Sequence, residues 1–225
     1  IIGFFYWFFA LKMAEPPKIT LPPGEEIGEK IVKKPEIIIP ASLISVNATE
    51  TVEITNSSEI LTLLPQLLEK TFETEGHIRI LFKNINENKI VGLKNFFEVF
   101  EVKTPEGLLE KLNDDFTLFI FASKGVNRLG FITEIEKKEN LVDLMLSWET
   151  TMEKDAEKLF KVLGKEKPAL SPYFKKAVYK NEVFRYISFS LNNFGVCWAA
   201  VIGDKFLFSS SGESMLKSID KLIIQ

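Results

Sequence analysis

Apolar residues recur at a constant spacing in four parts of this chain, each time behind a residue that can cap a helix. After Asn56, for example, they occupy the fourth, fifth and eighth following positions, as Ile60, Leu61 and Leu64. Steps of four and three residues place side chains on one face of a helix. A cap side chain accepts a backbone N–H that would otherwise lack a partner. The pattern therefore predicts four amphipathic helices. Their caps are Asn56, Thr104, Asn140 and Ser211.

Further residues strengthen or extend these predicted helices. Glu59 follows Asn56 by three residues, which is the spacing of a capping box. Pro105 stands in the first turn of the second helix, where proline is well tolerated. The third helix is predicted to be the longest, with about 23 residues and a length of about 35 Å. Gly164 is its expected C′ residue, and a helix of this length would extend past the sheet or bend.

Between the predicted helices, apolar runs of strand length alternate with turn residues. The run 116–122 is nearly all apolar and is predicted to be a central strand that is buried on both faces. Asn192-Asn193 and Gly203-Asp204 are the predicted turns of a C-terminal meander, and the second is typical of a two-residue hairpin. The other predicted strands are 77–82, 129–135, 184–191, 195–202 and 205–209.

Together these elements predict an α+β fold in which helices pack on one face of antiparallel sheets. Successive caps are 48, 36 and 71 residues apart, which is too irregular for a solenoid of short repeats. Two related halves are instead expected, joined near residues 164–172, a stretch that contains Pro168 and Pro172. The predicted α+β domain covers residues 42–225.

The chain begins with an uninterrupted apolar run, residues 1–11, which ends at Lys12. A helix needs about 20 apolar residues to span a bilayer. Residues 1–12 are therefore predicted to be part of a transmembrane helix whose upstream part precedes Ile1, a first residue that is not Met. The alternative is that this run belongs to the soluble core of a cytoplasmic protein.

Residues 13–41 are rich in proline and are predicted to form a stalk. X-Pro pairs favour extended backbone and exclude helix, so such a stretch behaves as a semi-rigid spacer. An anchor, a stalk and a domain in this order are typical of a single-pass membrane protein. The flank after the anchor mixes Lys12, Glu15 and Lys18 without a basic cluster, which favours a domain outside the cytoplasm. The stalk prolines are Pro16, Pro17, Pro22, Pro23, Pro35 and Pro40.

Composition excludes several classes of protein. The 225 residues are 46% hydrophobic and 26% charged, which indicates a globular domain rather than a disordered or fibrous chain. The net charge is −3 and no basic run is present, so we expect no nucleic-acid partner. A single cysteine, Cys197, excludes an intramolecular disulfide.

Residue types that commonly carry catalysis are few in this chain. The only histidine, His77, begins a predicted strand after a turn, and no nucleophile motif accompanies it. Cys197 lies in an apolar run and is predicted to be buried, and the two residues are too few for a zinc site. Asp114 and Asp115 are neighbours that point in different directions, so we predict a loop before the central strand. These patterns predict no catalytic, cofactor-binding or metal-ligating residues and no cofactor, although enzymatic activity is left open.

Two further patterns are explained by local structure. Residues 209–214 lead from a strand into a helix N-terminus, which is a natural anion site. They lack the lysine of a phosphate-binding loop and include Glu213, so we predict helix capping instead. Phe96, Phe97 and Phe100 are explained by strand alternation.

The C-terminal stretch 206–219, FLFSSSGESMLKSI, resembles a recurring unit of bacterial envelope families of unknown function. In these families a single-pass anchor precedes repeated units of a strand, a Ser/Glu turn and a helix. The run 116–121, FTLFIF, looks like the matching strand of an earlier unit. The resemblance implies an uncharacterised envelope protein, and it carries over no functional residues.

The sequence therefore predicts a membrane-anchored, extracytoplasmic scaffold or protein-interaction domain without enzymatic activity. It would reach the membrane through its N-terminal segment and would have protein partners in an envelope assembly. Edge strands of the meander and the helix after Asn140 are the expected contact surfaces. The alternative is a small-ligand-binding or carboxylate-based hydrolytic envelope domain, which would need a deep polar pocket that gathers Asp and Glu from separate strands.

Overall fold

The computed structural model describes residues 37–190 and 194–224. The predicted anchor, most of the predicted stalk and the predicted turn Asn192-Asn193 lie outside the described residues. Within the described part of the chain, no helix combines the length and the apolar character needed to cross a membrane.

The described residues form an α+β fold around one large, mostly antiparallel open sheet. Its strand order is β1-β2-β4-β5-β9-β8-β7-β6, with the short β3 paired to β2 beside this path. The β1–β2 pair is parallel, and the other pairs are antiparallel. The strands are β1 (Ala48–Ile54), β2 (Gly76–Asn84), β3 (Lys89–Ile90), β4 (Leu112–Ser123), β5 (Val126–Ile135), β6 (Lys175–Tyr179), β7 (Glu182–Ser190), β8 (Phe194–Ile202) and β9 (Lys205–Ser209).

Helices cover both faces of the sheet, so the prediction that they pack on one face is wrong. Alternate residues of a strand point to opposite faces, and β4 has buried apolar residues on both sides. Leu118 and Ile120 belong to the core under helices α1 to α5, whereas Phe119 and Phe121 belong to the core under α6. We call these sides the α1 face and the α6 face. The helices are α1 (Ile60–Glu69), α2 (Leu93–Val99), α3 (Leu141–Trp148), α4 (Met152–Asp155), α5 (Glu157–Val162) and α6 (Gly212–Ile223).

Two of the four predicted caps are confirmed in position and in chemistry. Asn56 and Glu59 form a reciprocal capping box at a short 3₁₀ turn, Ser57–Glu59, that leads into α1. Ser211 caps α6 by accepting the backbone N–H of Ser214 at 3.1 Å. In both cases the residues four and eight positions after the cap are buried, as the apolar spacing requires.

The helix predicted after Thr104 is wrong. Gly107 has a φ of 81°, a left-handed conformation that ends helical structure after a single turn. A 3₁₀ turn, Leu109–Lys111, follows, and Leu112 is already the first residue of β4. Its apolar residues at the fourth and eighth positions, Leu108 and Leu112, are buried, but they do not share a helix.

The long helix predicted after Asn140 is divided into α3, α4 and α5. Asn140 has a φ of 56° and makes no side-chain cap, so the start is correct but the predicted capping is wrong. The break before α5 has a visible cause, because the carbonyl of Asp155 accepts the backbone N–H of Lys103. Gly164 is confirmed as the C′ residue, since its N–H and that of Lys165 make both hydrogen bonds of a Schellman motif.

The predicted strands all correspond to observed ones within the described residues. The run 116–122 lies inside β4, in the middle of the sheet and buried on both faces. The predicted strands do not include β1, β3 or β6, and the phenylalanines of α2 are misassigned. Phe96 and Phe97 lie on that helix and Phe100 directly follows it, all within the core, so strand alternation does not explain them.

The second-half strands β6 to β9 lie together on one side of the sheet, and the first-half strands lie on the other. The two groups meet where β5 pairs with β9. The relation between two halves that the sequence suggested stays a prediction.

Residues 37–47, which we call the lead-in segment, cross the α6 face before β1 begins. The buried Arg79 donates through Nη2 to the carbonyl oxygen of Pro40 at 2.7 Å. The backbone N–H of Leu43 donates to Thr117 Oγ1 at 2.9 Å, and Ile44 is buried in the core under α6. The chain that arrives from the predicted stalk is thereby fastened to the middle of the sheet.

Candidate functional site

The β6–β7 hairpin forms one edge of the sheet and leaves backbone groups available on its outer side. Its turn residues Lys180 and Asn181 have φ values of 50° and 68°, as a two-residue type I′ turn requires. Tyr179 and Glu182 directly flank this turn as a register pair, so their N–H groups point across the hairpin. The N–H groups of β6 alternate in direction, and those of the two even-numbered residues therefore point outward. Among the described residues, only β7 pairs with β6.

Four exposed apolar side chains lie on the hairpin or in the segment that leads into it. Val178 and Val183 face each other across the hairpin on the α1 face and are 61% and 43% exposed. In the segment that leads into β6, Leu170 and Tyr173 are also exposed. Apolar groups that stand next to an open strand edge are typical of surfaces that pair with another chain.

A partly buried ion pair fixes the position of β7. Arg185 donates through Nε and Nη2 to the two carboxylate oxygens of Glu149, at 2.5 and 2.6 Å. Trp198 Nε1 adds a third hydrogen bond to the same carboxylate at 2.9 Å. The hydrogen bonds that Arg185 donates to Glu149 raise the pKa of Arg185, which keeps its guanidinium charged. Since Glu149 directly follows α3, this contact joins the edge hairpin to the helical layer.

The opposite edge of the sheet is β1, whose charged residues are acidic, whereas those of β6 are basic. Glu50 and Glu53 are its charged residues, and they pair with Lys70 at 2.7 Å and with Lys83 at 2.8 Å. Within the described part of the chain, β1 pairs only with β2. The sheet therefore ends in an acidic strand on one side and in β6, which contains two lysines and no acid, on the other.

His77, near the start of β2, is buried inside the domain. Its Nε2 lies 2.9 Å from Ser218 Oγ on α6, and its ring packs against Phe119 and Phe121. Burial, with a smaller contribution from the charge of Lys221, lowers the pKa of His77 to about 3. The ring is therefore neutral near pH 7 and stabilises the contact between β2 and α6.

Cys197 is buried, as its apolar surroundings in the sequence predict. Burial raises the pKa of Cys197 to about 12, so its thiol stays protonated and is a poor nucleophile. It lines a cleft of about 280 Å³, together with Phe184, Tyr186 and Ser188.

Asp114 and Asp115 lie inside β4, at an irregularity in its pairing with β5, so the predicted loop is wrong. Asp114 Oδ1 accepts the backbone N–H of Lys94 at 2.7 Å, in the first turn of α2. Asp114 thereby caps a helix 20 residues away in sequence, which the local pattern could not reveal.

The serine-rich stretch 209–214 acts as the sequence predicted, since Ser211 caps α6. Beside it lies an open groove of about 410 Å³ that mixes both signs of charge. Among its lining residues are Asn47, Glu75, Ser123, Glu213, Lys217 and Lys221. In residues 37–190 and 194–224, no three His, Cys, Asp or Glu side chains are arranged to hold a metal ion. The predicted absence of catalytic and cofactor-binding residues stays a prediction.

Comparison with known proteins does not place this chain in a class. No family model, no curated protein and no solved structure matches it.

Proposed function

We propose that this chain is a membrane-anchored scaffold or protein-interaction domain that acts outside the cytoplasm without enzymatic activity. The observation that carries the proposal is the open β6 edge with exposed apolar side chains beside it, Val178 and Val183 above all. An open, partly apolar strand edge is costly to leave unpaired and is a common recognition surface.

The anchoring half of the proposal rests on the sequence before residue 37. An apolar run, residues 1–11, precedes the proline-rich stretch 13–41. The lead-in segment then carries the chain into the sheet, where Arg79 holds the carbonyl of Pro40. Such an attachment suits a domain that is held at a distance from a membrane.

The non-enzymatic half rests on how the residues with catalytic potential are used. His77 bonds to Ser218, Cys197 is buried and protonated, and Asp114 caps α2. The Ser218 hydroxyl beside His77 is buried together with the ring, so this pair is closed to a substrate, and Cys197 and Asp114 are used in the core and in the cap.

A small-ligand-binding or carboxylate-based hydrolytic domain is the second candidate, and the groove beside α6 favours it. The groove has acidic residues from separate elements, Glu75 before β2 and Glu213 on α6. Both carboxylates already accept hydrogen bonds, from Lys124 N and from Ser123 Oγ, which makes them less available for acid–base chemistry.

The proposal is tested by membrane fractionation and by photo-crosslinking of the 225-residue chain in bacterial cells. We expect the chain in the membrane fraction, and we expect a photoreactive residue at Val178 to capture protein. The same residue at the exposed Lys137 is the matched control and should capture little. A chain that fractionates as a free monomer, with no crosslink at Val178 above the Lys137 control, would overturn the proposal.

A further inference from the structure

The two outer strands of the sheet carry opposite charges. Strand β1 reads ATETVEI, with two glutamates and no lysine or arginine, whereas β6 reads KKAVY, with two lysines and no acid. No ion pair of Lys175 or Lys176 is found within the described residues. Charged edges are a device against indiscriminate pairing, and opposite charges on two edges select one pairing over others.

We propose that the partner of the β6 edge is the β1 edge of a second copy of this chain, so that copies join head to tail into one continuous sheet. The proposal rests on the proposed function and names its partner. Because the two surfaces differ, the contact is heterologous and forms rows rather than closed dimers.

The directions of the two strands suit this contact. Strand β1 is parallel to β2, and six successive antiparallel pairings lead from β2 through β4, β5, β9, β8 and β7 to β6. An even number of reversals leaves β6 running in the same direction as β1. Two copies in the same orientation therefore bring β6 and β1 together as a parallel pair, with the α1 face continuous across the junction.

One register also matches the side chains. With Lys176 opposite Glu50, Val178 lies opposite Val52, and all four residues belong to the α1 face. The partly buried Val52 packs against the core of that face, and Val178 is the register partner of Val183. The ion pair between Glu50 and Lys70 engages Oε1, and a carboxylate has further acceptor sites for a second cation.

Pairing between like edges lacks these advantages. Two β6 strands would bring together two lysines from each copy, and two β1 strands would bring together two glutamates from each copy. The unlike pairing removes the repulsion between the β6 lysines, places them beside acids and covers the exposed Val178. The glutamates of β1 are already ion-paired with Lys70 and Lys83, so repulsion between two β1 edges is the weaker of the two. Cross-strand pairs of opposite charge and of β-branched residues are among the stabilising ones.

The contact is small, and this agrees with a role at a membrane. Strand β6 contributes only five residues to the contact. The contact therefore buries much less surface than the about 1,200 Å² or more that stable complexes bury. Tethering to one membrane raises the effective concentration of neighbouring copies, so weakly attractive edges pair without a larger interface. Strand twist rotates successive copies. The part of the predicted stalk before the lead-in segment, residues 13–36, reaches at most about 85 Å when extended, which lets rotated copies remain tethered.

The test uses the 225-residue chain reconstituted in liposomes with the double substitution Val52→Cys and Val178→Cys. Head-to-tail pairing places these two positions opposite each other, so mild oxidation should give a disulfide ladder of dimers, trimers and larger species. Val178→Cys alone should stay monomeric on a non-reducing gel, as should the unsubstituted chain, whose Cys197 is buried.

A charge exchange gives a second readout and controls for folding. Lys176→Glu in the double-cysteine chain should reduce the ladder about tenfold, because a repulsive pair replaces an attractive one of similar size. Adding Glu50→Lys should restore the ladder. Thermal unfolding of each variant establishes that the domain is intact.

Three outcomes would overturn the inference: no ladder, dimers from Val178→Cys alone, or a ladder that ignores the charge exchange in folded variants. Capture of other proteins at Val178 without a ladder would leave the proposed function standing and would refute only the second copy as partner. If the unsubstituted 225-residue chain is absent from the membrane fraction, the proposed function itself is refuted.

Discussion

At the scale of single residues, charged side chains that are partly or fully buried in this domain are held in two different ways. Glu149 and Arg185 neutralise each other through a two-pronged contact, and Trp198 occupies a remaining acceptor site. Arg79 is more deeply buried than this pair, its guanidinium donates to the carbonyl of Pro40, and burial lowers the pKa of Arg79. The first arrangement fixes the edge hairpin, and the second makes a backbone carbonyl of the lead-in segment part of the core.

His77 should make the stability of the domain depend on pH. Its pKa is about 3 in the folded protein and about 6.5 in an unfolded chain, so below pH 6.5 the unfolded state binds more protons. The neutral ring therefore contributes stability that is complete above about pH 6.5 and is lost as the pH falls towards 3. The expected loss is about 4 kcal/mol between these limits.

This prediction is checked by urea unfolding between pH 7 and pH 4 for the unsubstituted chain and for His77→Gln. Carboxylates titrate in both proteins, so the difference between the two curves isolates the histidine. Parallel curves for the two proteins would contradict the assigned role of burial at His77.

At the scale of elements, short helices are held in place by residues from distant strands. Helix α2 has only seven residues and no side-chain cap of its own. Asp114 of β4 takes over that role by accepting Lys94 N–H. The close approach requires Gly92, because a Cβ atom there would come within 2.2 Å of Asp114 Oδ2.

Gly92→Ala should lower the free energy of unfolding by about 1–2 kcal/mol, since the added methyl group displaces Asp114 from its hydrogen bond. The φ of Gly92 is −84°, so alanine carries no backbone penalty at this position. In an Asp114→Ala background the same substitution should be nearly neutral. Chemical unfolding of the four proteins measures this coupling, and additive effects would refute the proposed cap.

At the scale of the whole molecule, the lead-in segment decides where the folded domain begins. Residues 37–47 contribute the buried Ile44 and the carbonyl that accepts from Arg79. The domain is therefore expected to need this segment but not the residues before it.

A chain that begins at residue 37 should unfold at the same urea concentration as the 225-residue chain in detergent and should remain soluble without it. A chain that begins at residue 47 should lose at least about 3 kcal/mol, from the exposed core site and the unpaired guanidinium. Unfolding of the first chain would instead favour the alternative that residues 1–11 belong to a soluble core.

Local signals in the sequence determined a large part of this architecture. The caps Asn56 and Ser211, the C′ glycine Gly164 and the central strand 116–122 were all predictable. Each depends on residues close together in the chain, because helix capping, turns and strand alternation act over a few positions. The acidic and basic compositions of β1 and β6 are also readable once the strands are known.

Only the tertiary structure decided which strands lie at the edges, which face each helix covers, and where the predicted long helix breaks. Lys103 reaches the carbonyl of Asp155 and Asp114 reaches α2 through contacts that no local pattern encodes. The same holds for the burial of His77 against α6 and for the placement of β1 and β6 at opposite ends of one sheet. Strand order and burial arise from contacts between residues far apart in the chain, so they appear only when the whole domain is folded.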